Sequence, residues 1–277
     1  MNHVYRLPHS GTIAKVHRPG TTARAAHRQN RVALWLLRSG IPAPRPAGRS
    51  TEPLAVGPLL VTFADDLGTG PAASPAHLAE LLHALHGLDV PHDLDLPVWD
   101  PFPELARRIS ALMPTSLSSE HRTLLRVAFD DTRDRWAAAA WPAHQHVVHG
   151  DVGWANTIVT ATGPALLDFE QVAVGYPLVD LAAIAWQRDG FGASSADYEE
   201  FAAAYGLDVV RHDEGRTYGV IAMWSALIGC VTALEVAETL PFWQEEAALR
   251  LDTVLRDPQP RYPWNWNLGK AVAEAAR

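Results

Sequence analysis

The stretch HGDVGWANTIV, His149 to Val159, decides how the rest of the chain is read. An aspartate, Asp151, and an asparagine, Asn156, stand five residues apart in a loop between the apolar runs QHVVHG and NTIV. A charged side chain, a carboxamide and a glycine at the end of a strand point to a loop that carries chemistry on a rigid scaffold. Downstream, NTIVT and PALLDF flank Ala161-Thr162-Gly163, a turn signal between two β-rich runs. If those runs pair as a hairpin, Asn156 and Asp168 are neighbours, because paired strands lie about 4.8 Å apart. Asp151 is a short loop away, and Gly150 supplies backbone freedom there. One local fold therefore gathers Asp151, Asn156 and Asp168, with Glu170 just beyond.

A carboxylate and a carboxamide oxygen are hard ligands. They suit Mg²⁺, which is commonly held by one or two protein oxygens plus substrate phosphates. Asn156 and Asp168 are the candidate metal ligands. Asp151 is then free to orient a nucleophile and accept its proton, the division of labour found in phosphoryl transfer by kinases.

HGDVGWANTIV followed by LLDFE resembles the catalytic loop and metal-binding segment of the aminoglycoside phosphotransferase family. The resemblance rests on His-Gly-Asp, an asparagine five residues after that aspartate and Asp-Phe-Glu twelve residues later. It covers most of the chain and includes the helix ending in SGIPAP, the VTF strand and the LHALHGL helix, fading after about Ala237. It implies a protein-kinase-like fold and phosphorylation of small molecules, antibiotics among them. It also implies that Asp151 is the catalytic base and that Asn156 and Asp168 hold Mg²⁺. Asp180, in GYPLVDLA, matches the aspartate that opens a helix behind the loop and supports it. Lys15, in TIAKVHRP, resembles the lysine that pairs with the nucleotide phosphates; the bland alternative is an exposed strand lysine. Two positions depart from the family pattern. Gln29 stands where a glutamate usually holds that lysine, and an amide lacks the charge. Only four residues precede Tyr5, which leaves no room for the first strand and the phosphate-covering loop: either the true start lies upstream, or nucleotide is held under a partly open roof.

Working outward, the fold class is α+β. Tyr5–Leu7 and Thr12–Val16, joined by PHSG, predict a hairpin, and Thr21–Arg38 predicts a helix stopped by Ser39-Gly40. Leu54–Ala64 reads as two strands split by Gly57-Pro58. Beyond Asp65 the chain becomes mostly helical, and Ser74-Pro75 is a helix start. A two-lobed, kinase-like arrangement follows: a small β-rich nucleotide-binding lobe over 1–64, and a larger helical lobe over 65–277 carrying the catalytic loop and substrate pocket.

Composition narrows the function classes. With net charge −8 and no basic face, the chain does not read as a nucleic-acid binder. The longest apolar run, Val220–Ala233, is 14 residues, too short for a bilayer span and better read as a buried helix. The N-terminus lacks a signal-peptide pattern, and the single cysteine, Cys230, reads as a buried, inert thiol. These features point to the cytoplasm. HQHVVHGD offers a rival metal cluster, a zinc hydrolase site built on His144, His146 and His149. On a strand, however, His144 and His146 face one side and His149 the other, so His149 is expected to brace the loop. His83 and His86 read as a partly exposed helix face. Trp243, Trp264 and Trp266 lie near Glu235, Glu238, Glu245 and Glu246, either as an acidic, aromatic pocket or as solvated helices and a packed tail.

The expected function is transfer of the γ-phosphoryl group of ATP or GTP to a hydroxyl of a small molecule: an aminoglycoside-like antibiotic, an amino alcohol or a sugar. The rival reading from another class is a nucleotide-binding pseudokinase without transfer activity.

Overall fold

The computed structural model describes residues 2–48, 51–112, 117–256, 264 and 266. By contacts the chain divides into two compact units. The first comprises Met1–Trp99, Ala143–Asp180 and Glu200–Gly206; the second comprises Asp100–Pro142, Leu181–Glu199 and Leu207–Arg277. The class is α+β.

In the first unit β1 (His3–Leu7), β2 (Thr12–Val16), β3 (Leu54–Val56) and β4 (Leu59–Asp65) form an antiparallel sheet in the order β1-β2-β4-β3. The predicted hairpin and the two strands around Gly57-Pro58 are both present. Lys15 lies opposite Thr62 and Ile13 opposite Ala64, so these four residues share one face of the sheet. Helix α1 (Ala23–Arg38) begins at Thr22, whose hydroxyl accepts the Ala25 amide at 3.2 Å and so satisfies one of the first turn's unpaired donors. Helix α2 (Pro75–His86) starts as the sequence predicts, with Ser74 as cap and proline at its first position. It buries Leu78, Leu82 and Leu85, each contributing about 1.5–3 kcal/mol of burial.

The region around His149 forms two separate two-stranded ladders. Strand β5 (His146–Val148) pairs with β8 (Ala173–Gly175), while β6 (Thr157–Thr160) pairs with β7 (Gly163–Leu166) as a separate hairpin. β8 carries only three residues, too short a run to stand out by its pattern. β7 stops at Leu166, short of Phe169. Asp168 has left the extended region, with φ +57.

The second unit contains α3 (Phe102–Ala111), α4 (Ser119–Ala138), α7 (Arg216–Thr239) and α8 (Gln244–Arg256) around one apolar core. Helices α5 (Leu178–Asp189) and α6 (Ser195–Tyr205) follow β8 in the chain. α7 corrects the expectation that its apolar stretch is too short to span a bilayer. The helix runs 24 residues and is long and apolar enough to do so on length and composition alone. Leu227, Val231 and Leu234 are buried within this unit's core, as a buried helix requires. Cys230 is fully buried there, and burial pushes its thiol up to about 12, which keeps it unreactive. Glu235 is paired with Arg108 and Glu246 with Arg250, while Trp243 and Trp266 are buried. These groups build structure in the second unit.

Candidate active site

The loop after β5 is shaped by what it hydrogen-bonds behind itself. The His149 amide donates to Asp180 Oδ2 at 2.7 Å and the Gly150 amide to Asp180 Oδ1 at 2.9 Å. Gly150 has φ +78, and a Cβ there would overlap the Gln171 carbonyl oxygen, so no other residue fits. The His149 ring is completely buried, pairs through Nε2 with the Leu167 carbonyl at 2.9 Å and packs edge-on against Phe169. It braces the loop, as expected. His144 is exposed and His146 half-buried. Among the described residues no three His, Cys, Asp or Glu side chains form a metal-binding set.

The β6–β7 hairpin does what the turn signal requires. Its pairing extends past the strand ends through a hydrogen bond from the Leu167 amide to the Asn156 carbonyl at 2.9 Å, which places Asp168 one residue beyond Asn156's partner. Asn156 Nδ2 donates to the Asp151 carbonyl at 2.7 Å and lies 3.5 Å from Asp151 Oδ2. The structure thus brings Asp151, Asn156 and Asp168 together. Aspartate tolerates the left-handed backbone that Asp168 adopts better than most residues do.

Lys15 reaches this cluster from the sheet. Its ammonium donates to Asp168 Oδ1 at 2.7 Å and to Gln29 Oε1 at 3.2 Å, with Glu170 Oε2 at 3.8 Å. Gln29 therefore occupies the expected place on α1 and holds Lys15 by a neutral acceptor. Lys15, Gln29, Thr62, Ala64, Asp168 and Phe169 line one open cleft. Glu170 is itself held by Asn2, whose Nδ2 donates to Oε2 at 2.7 Å.

Three carboxylates and one lysine give the site an excess of negative charge. Desolvation is the first cause that raises the Asp151 carboxyl above its usual value. The charges of Asp168 and Glu170 add to it, while His149 and the Asn156 hydrogen bond pull the other way. Asp151 nevertheless retains exposed surface. The donor set fits Mg²⁺: Asp168 offers a carboxylate, and Asn156, with its NH₂ spent on the loop, presents its carbonyl oxygen.

Two residues of the site escape sequence reasoning. His86 is 5% exposed, which corrects its reading as part of a partly exposed face; it lies on the buried side of α2 among Leu78, Leu82 and Leu85. Its Nε2 sits 3.0 Å from Asp180 Oδ2, and its Nδ1 sits 2.8 Å from the Tyr205 hydroxyl. The available signal was periodicity: His86 falls four residues after Leu82, on the apolar stripe, whereas His83 is exposed.

A kinase-like loop, a lysine delivered by the sheet and an acidic, metal-suited cluster define a small-molecule phosphotransferase. The chain belongs to the phosphotransferase enzyme family (APH), which it matches over residues 2–224. Solved structures share its fold. A choline/ethanolamine kinase family protein from Mesorhizobium loti is 18% identical with TM-score 0.64, covering 93% of this chain and 86% of its own. Amicoumacin kinase hAmiN, solved with AMP-PNP, Ca²⁺ and Ami, is 12% identical with TM-score 0.67, covering 91% and 83%. Aminoglycoside phosphotransferase APH(3'')-Id from Streptomyces rimosus is 22% identical with TM-score 0.55, covering 80% and 88%. The expected two-lobed, protein-kinase-like α+β fold is the fold of these neighbours. No curated protein is a match for the chain.

Proposed function

We propose that this protein transfers the γ-phosphoryl group of ATP or GTP to a hydroxyl of a small molecule. The observation that carries this reading is the convergence of Asp151, Asn156 and Asp168 on one hairpin, with Lys15 bonded to Asp168. Residues 1–64 would serve as the nucleotide-binding lobe and 65–277 as the lobe carrying loop and acceptor, a functional division distinct from the compact units.

In the proposed reaction the acceptor oxygen forms a bond to the γ-phosphorus. The bond from phosphorus to the β–γ bridging oxygen breaks, the nucleoside diphosphate leaves, and the hydroxyl proton passes to the Asp151 carboxylate. Asp151 aligns that hydroxyl and takes its proton as the loose transition state forms. Lys15 balances phosphate charge, and the fixed loop holds the reacting groups in register, from which most of the acceleration would come. Asn156 and Asp168 would hold Mg²⁺, which when bound neutralises charge on the β- and γ-phosphates.

The acceptor classes that fit are aminoglycoside-like antibiotics, amino alcohols and sugars. The structural neighbours, a choline/ethanolamine kinase family protein and an aminoglycoside phosphotransferase among them, support that range. A role in antibiotic resistance follows only for the first class. With its one cysteine buried, the chain suits the cytoplasm. Gln29 favours one rival, a nucleotide-binding protein without transfer, because a neutral amide fixes Lys15 less firmly than a carboxylate would. Asp151→Ala separates the two. Transfer by the wild type should fall by about 10²–10⁴-fold in the variant while nucleotide binding persists. Unchanged turnover would remove Asp151 from its role.

A further inference from the structure

Asn156 is held in place by the residue that follows it. It closes a short 3₁₀ turn, Trp154–Asn156. Its amide donates to the Gly153 carbonyl at 3.0 Å, and its carbonyl accepts the Leu167 amide at 2.9 Å. Thr157 comes next, as the first residue of β6, and its side chain is enclosed. The Thr157 hydroxyl donates to the Trp154 carbonyl at 2.8 Å and accepts the Ala73 amide at 2.9 Å.

The proton on this hydroxyl is assigned by its neighbours. A backbone amide only donates and a carbonyl only accepts, so Oγ1 takes the Ala73 proton and gives its own to Trp154. Thr157 and Ala73 are each 5% exposed, so water does not readily replace either partner. The Trp154 carbonyl also receives the Thr157 amide. Thr157 therefore grips the turn with main chain and side chain at once.

Ala73 belongs to the connector between β4 and α2, and that connector runs along β6. The Val159 amide donates to the Pro71 carbonyl at 2.8 Å. A Cβ on Gly70 would lie 2.0 Å from the Val159 carbonyl oxygen, so only glycine lets the two backbones come this close. The Ala73–Thr157 bond is the tie that carries this contact back into the loop. In the sequence, a threonine in NTIV passes for an ordinary β-former, and the hydroxyl's use shows only once the connector has packed.

We propose that Thr157 is a positioning residue for Asn156: its hydroxyl fastens the Trp154–Asn156 turn to the β4–α2 connector and so fixes where the Asn156 carboxamide points. The metal-binding part of this proposal rests on the phosphotransferase reading, in which Asn156 would hold Mg²⁺. Because Asn156 Nδ2 also donates to the Asp151 carbonyl, the set of the turn bears on Asp151 as well. Without the hydroxyl, the buried Ala73 N–H has no partner and the turn is free to tilt. Removing a group that orients a metal ligand typically costs about 10–100-fold in metal affinity or activity.

Two substitutions separate the hydroxyl from the shape of the side chain. Thr157→Val keeps the volume and removes the hydroxyl, whereas Thr157→Ser keeps the hydroxyl. In the first arm, amide hydrogen exchange is followed on the whole protein without metal or nucleotide. The Ala73 amide should exchange about tenfold faster in Thr157→Val than in the wild type, while Val159, which keeps its Pro71 partner, changes little. An Ala73 rate unchanged in Thr157→Val would overturn the proposal. In the second arm, Mn²⁺ binding in the presence of AMP-PNP is titrated by electron paramagnetic resonance. Thr157→Val should bind Mn²⁺ about tenfold more weakly or worse, and Thr157→Ser should stay within about twofold of the wild type. Wild-type Mn²⁺ affinity in Thr157→Val would overturn the proposal, including when thermal stability alone has dropped, which is what a merely structural role predicts. An equal loss in Thr157→Ser would overturn it too. A wild type that gives both expected results yet transfers no phosphoryl group would keep this proposal and fail the functional reading alone.

Discussion

Asp180 shows how a single carboxylate can carry both stability and geometry. It is fully enclosed and accepts from two amides and His86. Because its folded pKa is depressed, its contribution is complete above the unfolded value of about 3.9 and is lost as pH falls through the lower folded value. Asp180→Asn should cost about 3–5 kcal/mol at neutral pH, since it leaves a buried arrangement without its charge. Thermal unfolding measured against pH should show the gap between wild type and variant closing in acid; a gap independent of pH would contradict this account. The same residue marks the limit of the sequence. Asp180 could be picked out from GYPLVDLA, but its partner His86, and His86's own partner Tyr205, could not, because His86 lies 94 residues from Asp180 and Tyr205 lies 119 from His86. No periodicity links such positions. A histidine on a helix discloses its partner only once the helix has packed.

At the scale of elements, the β6–β7 hairpin was legible because everything that fixes it is local: two β-rich runs, a Gly-containing turn and a pairing distance. The β5–β8 ladder was not, because its strands are three residues each and are separated by the whole hairpin. The loop between β5 and β6 depends on one backbone position. Gly150 and Gly163 both have positive φ, but only at Gly150 would a Cβ meet the Gln171 carbonyl, while Gly163 faces open space. Gly163→Ala should therefore cost only backbone strain, about 1–3 kcal/mol, with turnover preserved. Gly150→Ala adds a clash with main chain, and both stability and turnover should fall further. Denaturant unfolding and kinetics on the pair check this; equal effects would mean the loop is not held as tightly as its hydrogen bonds require.

For the molecule as a whole, the expected two-lobed α+β fold is the fold that its solved neighbours share, and the hairpin carries the proposed chemistry. The acceptor stayed illegible because no motif in the chain encodes it; choice among hydroxylated compounds depends on pocket shape. A ligand that binds only the folded state stabilises it by about 2.7 kcal/mol at a hundredfold excess over Kd. For a chain of this size that is about 5–10 °C in Tm. Mg²⁺ with ATP or GTP should give such a shift in the wild type, and Asp168→Asn should abolish the part that depends on Mg²⁺. A shift indifferent to both the metal and the variant would place the nucleotide elsewhere.

Transfer itself tests the central claim most directly. The protein, Mg²⁺ and labelled ATP or GTP are incubated with a panel of aminoglycosides, amino alcohols and sugars, and products are read by mass for one added phosphoryl group. The account predicts a phosphorylated acceptor from the wild type and none from Asp151→Ala. Nucleotide bound but no transfer or hydrolysis with any acceptor would contradict it.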